Sequence, residues 1–169
     1  MSKFIDIPYN REKVIAYANK WESSRNPNYY DFSKIGGDCT NFASQCLYAG
    51  CGIMNYTKTY GWYYNSVHDR APSWTSVQYF YRFVTQNKGV GPYGIIVAQN
   101  EVEPGDFVQI HFRSKAGFTH TPIIVNTADT NSLKSIYVAA HSFDCNHRPL
   151  STYQDVEELR FIHILGARK

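Results

Sequence analysis

The chain has 169 residues; 43% are apolar, 16% aromatic and 18% charged, and the formal net charge is +3. This composition excludes a disordered tail or linker protein, and the length fits one domain over residues 1–169, large enough to bury roughly 70% of its unfolded surface. No block of Lys and Arg supports a nucleic-acid partner, no aliphatic run is long enough to span a bilayer, and Met1–Asn10 lacks the apolar core of a signal peptide.

In chain order, residues 9–22 read as a helix. Val14, Ala18 and Trp21 share a face with Ile15, and Asn10 stands at the N-cap. A Ser/Asn/Pro loop follows over Ser23–Tyr30. Cys39–Ala49 reads as a second helix, with Phe42, Cys46 and Ala49 at helical spacing, Asp38 as N-cap, and Gly50 and Gly52 beyond its end. Ser73 is expected to cap a third helix over residues 74–86. Between the second and third helices lies an aromatic loop, Tyr60–Tyr64. From residue 90 the period changes to that of strands, at 94–98, 106–112, 119–126, 135–142 and 157–165, separated by turn sequences such as Asn146-His147-Arg148-Pro149. Helices first and strands second predict an α+β fold, with the helices packed on one face of an antiparallel sheet. No repeat or linker composition divides the chain.

Gly36-Gly37-Asp38-Cys39-Thr40-Asn41-Phe42 is the strongest chemical signal. A thiol at a helix start meets the positive end of the macrodipole and unpaired backbone N–H groups, which favour thiolate and can receive an oxyanion. The two glycines leave room for a substrate backbone. Two readings of Cys39 stand: an activated nucleophile, or a small buried apolar side chain behind a turn. The Asp38 charge works against activation. The other cysteines, Cys46, Cys51 and Cys145, form neither a C-x-x-C pair nor a zinc pattern, and four cysteines in this length are no disulfide scaffold.

A nucleophilic sulfur needs a base. His120 opens one strand run and His141 closes the next, so antiparallel neighbours would bring both rings to one sheet edge. His120 is then the expected base and His141 the group that holds it in its working tautomer, with Asp144 as a rival orienter. A histidine metal site lacks a third ligand in the sequence, so no metal is expected. His68, His111, His147 and His163 read as loop or packing residues. Trp62 and Trp74 either wall a substrate groove or anchor the core.

From Gly37-Asp38-Cys39-Thr40-Asn41-Phe42-Ala43-Ser44-Gln45-Cys46-Leu47 the chain resembles the Putative amidase domain family of bacteria, within the papain-like group that includes the NlpC/P60 and CHAP cell-wall hydrolases. Weaker likenesses follow in order, through Asn26-Pro27-Asn28-Tyr29, Gly61-Trp62-Tyr63-Tyr64, Ser73-Trp74-Thr75, Pro104-Gly105-Asp106, His120 and His141-Ser142-Phe143-Asp144. The resemblance implies a papain-like fold and a cysteine amidase or peptidase, with Cys39 as nucleophile, His120 as base and His141 in the orienting place. Asp38, Trp62 and Trp74 are the expected substrate-binding residues. Two departures stand out: Ser33-Lys34-Ile35 replaces the papain-type glutamine upstream of the nucleophile, and Gly50-Cys51-Gly52 replaces a Gly-Gly pair. No cofactor is expected. The expected partner is a peptide or peptidoglycan-like substrate met by a monomer, either in the cytoplasm or as a piece of an exported protein. A peptide- or glycan-binding module without activity and an acyl transferase are the alternatives.

Overall fold

The computed structural model describes residues 3–169, so the first two residues of the Met1–Asn10 stretch lie outside the described residues. Helix α1 spans Arg11–Trp21 and is capped as expected, the Asn10 Oδ1 accepting from the Lys13 N–H at 3.0 Å. Helix α2 spans Cys39–Cys51 and ends in left-handed Gly52 at φ 65°. Eleven of its 13 residues are buried, polar ones included, so it runs through the interior rather than along the surface. Each of those polar side chains is paired, as burial demands. Gln45 accepts from the Tyr17 hydroxyl at 2.7 Å, Ser44 donates to the Trp74 carbonyl at 2.9 Å, and Asn41 accepts from the Trp74 indole at 2.9 Å.

The third helix is two pieces: α3 over Pro72–Thr75 and α4 over Val77–Gln86, with extended Ser76 between them capping the second. Ser73 does not cap. It lies inside α3 and donates its hydroxyl to the Gly61 carbonyl at 2.5 Å, tying the aromatic loop down.

The strands are β1 (Asp6–Ile7), β2 (Tyr64–Ser66), β3 (Asp69–Arg70), β4 (Gly91–Val97), β5 (Phe107–Phe112), β6 (Phe118–His120), β7 (Ile123–Thr127), β8 (Ile136–Ala140), β9 (Cys145–Pro149) and β10 (Val156–Arg168). β2 and β3 form a hairpin of their own. The others make one antiparallel sheet in the order β1-β10-β5-β7-β8-β9, with β4 also on β10 and β6 also on β5. The sheet curls into a half-barrel after the amino-terminal helices, giving the α+β architecture expected from the sequence. Strand β10 carries the curl: its first half pairs with β5 and its second with β4, across a register shift between Ile164 and Gly166. Such irregularities bend a strand and raise its twist.

Two strand expectations need correction. The run 119–126 is broken at Thr121-Pro122, because proline has no N–H for a ladder; β6 ends at His120 and β7 starts at Ile123. Residues 146–149, expected as a turn, belong to the edge strand β9. Its polar residues carry no period-two apolar signal because an edge strand faces water.

Strand alternation feeds two cores. Phe107, Ile123, Ala139 and Ile162 face the helices and pack with Phe42, Leu47, Trp62 and Trp74. Val108, Ile110, Ile124 and Val138 face the other way, under Val102 and Leu150. Each fully buried large side chain contributes roughly 1.5–3 kcal/mol.

Candidate active site

The chain enters α2 through Gly36 and Gly37, at φ 83° and 101°, a conformation in which a side chain would be strained. The Asp38 N–H then donates to the Ser142 hydroxyl at 2.8 Å, docking this entry on the β8–β9 turn. Cys39 follows in the first turn of α2, 7% exposed.

Its sulfur is enclosed by the residues on either side of His120. Sγ lies 3.9 Å from the Thr119 carbonyl, and the Thr121 N–H bonds to it as well. Burial pushes the Cys39 thiol up; bonds from Thr121 N–H and from the Thr40 hydroxyl and N–H pull it down, and the Asp38 charge adds to the push. The thiol ends above its ordinary value. The Asp38 side chain makes no capping bond to α2, and the Cys39 N–H has no hydrogen-bond partner among the described residues, so it is free to receive an oxyanion.

His120, at the end of β6, is 8% exposed. Its Nε2 is 3.3 Å from the Tyr153 hydroxyl, and its Nδ1 has no hydrogen-bond partner among the described residues. Burial, and then the Arg148 charge, hold this imidazole down at about 4, so it is neutral at neutral pH. Cys39 and His120 open into one cleft of about 600 Å³, walled by Gly37, Phe112, Phe143 and Tyr153. The strand break at Pro122 directly follows this part of the cleft wall. It comes after the end of β6 at His120, and Thr119 and Thr121 both reach the sulfur.

The remaining candidates lie elsewhere. His141 is 1% exposed and does not orient His120. Its Nδ1 meets Asp38 Oδ2 at 2.5 Å, its Nε2 meets the Trp21 carbonyl at 2.7 Å, and its ring stacks on Phe42 at 3.9 Å. Asp144 is no orienter either: both its oxygens hold Arg25, at 2.8 and 3.0 Å. Asp38, Trp62 and Trp74 are fully buried and do not line this cleft. Asp38 accepts from the Phe32 N–H and the Asn41 amide, both at 2.8 Å, besides its contact with His141. The Trp62 indole donates to Ser44 at 3.0 Å, and its ring lies 4.7 Å from that of Trp74. The two tryptophans are core.

The sequence reading missed Tyr153, whose hydroxyl stands beside His120 Nε2. It follows a 3-10 turn over Leu150–Thr152, outside any period that would aim it. The only hint was compositional, the surplus of 14 tyrosines, whose apolar rings and polar tips suit half-wet grooves. Cys46 and Cys51 are buried in α2, and Cys145 lies 3.8 Å from the Tyr153 hydroxyl. Among the described residues no group of His, Cys, Asp and Glu could hold a metal ion, and no helix is long and apolar enough to cross a membrane.

The family described as Putative amidase domain matches residues 8–164. The "Uncharacterized protein YhbB" of Bacillus subtilis (strain 168) is 32% identical over 119 residues, which is 69% of this chain and 37% of that protein. The matched segment thus spans little more than a third of that relative's length. No solved structure gives a significant match.

Proposed function

The chain belongs to the Putative amidase domain family, which points to amide hydrolysis, and we propose that it is a cysteine-dependent hydrolase working through a thioester on Cys39. The observation that carries this reading is the enclosure of one sulfur by both backbone neighbours of His120.

His120 Nδ1 takes the proton from Cys39 Sγ as the sulfur attacks the amide carbonyl. The tetrahedral oxyanion rests on the Cys39 N–H at the start of α2. Collapse breaks the C–N bond, and His120 returns the proton to the departing amine. Water then gives a proton to His120 and attacks the thioester; the acid leaves and the proton goes back to the sulfur. Tyr153 holds His120 Nε2 throughout.

Burial acts on the two groups in opposite senses, the thiol upward and the imidazole downward, so the resting pair is neutral. Proton transfer therefore belongs to the step in which substrate arrives, and a preformed ion pair is not needed. Residues 1–169 act as one amidase domain, and peptide or peptidoglycan stem-peptide amides are the substrates to try first.

The test is incubation of purified protein with cell-wall sacculi and with a peptide library, followed by product analysis with and without added amine. Cys39→Ala and His120→Ala should each abolish release of new amino termini while leaving the circular-dichroism spectrum unchanged. Turnover surviving in Cys39→Ala removes the thioester mechanism. Amine-capped products in place of free acids would make the protein an acyl transferase. Binding without turnover would make it a recognition module.

A further inference from the structure

We infer that the amide taken by this cleft is anionic, with an apolar group seated against Phe112, Phe143 and Tyr153 and a negative group met by Arg148 and Lys115. The inference rests on the reading of Cys39 as the reacting group and adds the substrate class to it.

The first observation is the charge of the wall. Arg148 and Lys115 line the cleft and no acidic side chain does, among the described residues. Arg148 is held in place: its Nε donates to the Thr152 hydroxyl at 2.8 Å, a terminal nitrogen donates to the Thr152 carbonyl at 3.1 Å, and the guanidinium lies 3.7 Å over the Tyr153 ring. Neither cation has a carboxylate partner within 4.0 Å among the described residues, and Asp144, on the same hairpin as Arg148, is occupied by Arg25. A guanidinium fixed by its neighbours yet left without a counter-charge in an apolar-walled cleft is suited to an incoming anion, because such walls focus the field.

The second observation is Phe143. It is 91% exposed and stands at φ 73°, next to Ser142 at φ 61°, in the turn docked on the entry to α2. Left-handed backbone of this kind is costly for a serine or a phenylalanine. Asn or Gly would fill these turn positions without that cost. An apolar ring kept exposed in a strained turn at the rim of the cleft is explained by a ligand that covers it.

Two small thiol reagents of opposite charge test this at Cys39: anionic sulfonatoethyl methanethiosulfonate and cationic trimethylammonioethyl methanethiosulfonate. Modification is located by peptide mapping, which keeps Cys145 out of the count, and each rate is divided by that of a free small thiol. The anionic reagent should be favoured by about tenfold or more at low salt, and the preference should fade at high salt. The double variant Arg148→Gln/Lys115→Gln should abolish it. A normalised ratio near one, a preference for the cation, or a preference untouched in the double variant overturns the inference. Modification by neither reagent does so too, since a cleft that takes an anionic amide must admit a small anion. The readout needs no turnover: a flat ratio beside an inactive Cys39→Ala variant removes only the substrate class. An anionic preference beside an active Cys39→Ala variant removes the thioester reading.

Discussion

His141 is bound to Asp38: its Nδ1 lies 2.5 Å from the carboxylate Oδ2, with both side chains buried. The pair joins the residue before Cys39 to the end of β8, and through His141 Nε2 to the Trp21 carbonyl at the end of α1. It is a brace for the start of α2.

Breaking this brace should cost stability. Asp38→Ala also leaves the Phe32 N–H and the Asn41 amide without an acceptor, and His141→Ala leaves a buried carboxylate short of a partner. Each variant should lose about 3 kcal/mol or more in urea denaturation. The double variant should lose less than the two losses added, by about 1 kcal/mol or more. Simple additivity would show that the two residues act independently.

Tyr153→Phe keeps the ring and deletes the hydroxyl that faces His120 Nε2. One hydrogen bond of this kind is worth about 1 kcal/mol, so kcat should fall about fivefold with KM nearly unchanged. The pH dependence of kcat should shift as well, because the orientation and basicity of His120 change together. A wild-type kcat in this variant would end the orienting role.

His120 also sets a stability window. Its folded value is about 4 against an ordinary 6.5. Below pH 6.5 the unfolded chain takes up a proton that the folded chain refuses. Stability is therefore full above that pH and falls as pH drops toward 4, by on the order of 3 kcal/mol. Urea titrations across this range should show the slope in the parent and lose it in His120→Gln. Arg148→Gln removes the smaller of the two causes that hold the ring down, so the His120 proton resonances should titrate at higher pH in that variant.

Trp62→Phe tests the reassignment of the aromatic loop to the core. The variant leaves a small cavity and takes a hydrogen bond from Ser44. It should cost about 2 kcal/mol in denaturation and leave kcat/KM of the folded protein unchanged. A specific loss of substrate affinity would return Trp62 to the cleft.

Much of the site was legible one element at a time. The Gly-Gly-Asp-Cys entry, the cap at Asn10 and the break toward strands near residue 90 are all written in neighbouring residues. The divided third helix was less legible. Ser73 can cap by type, but its hydroxyl goes to the Gly61 carbonyl and Ser76 caps α4 instead. Strand β9 was hidden because an edge strand can be polar on both faces.

From the sequence alone came the position of Cys39 at the head of its helix and the order of helices before sheet. These follow from propensity, capping and periodicity, which act over a few residues. The tertiary structure alone decided that Tyr153 faces His120, that His141 braces Asp38 instead, and that both tryptophans lie inside. Those pairings join residues 33 to 103 positions apart or depend on which face of a packed segment turns inward. They are set by how the sheet curls and the hairpins close, since a side chain's partner is chosen by the path of the whole chain.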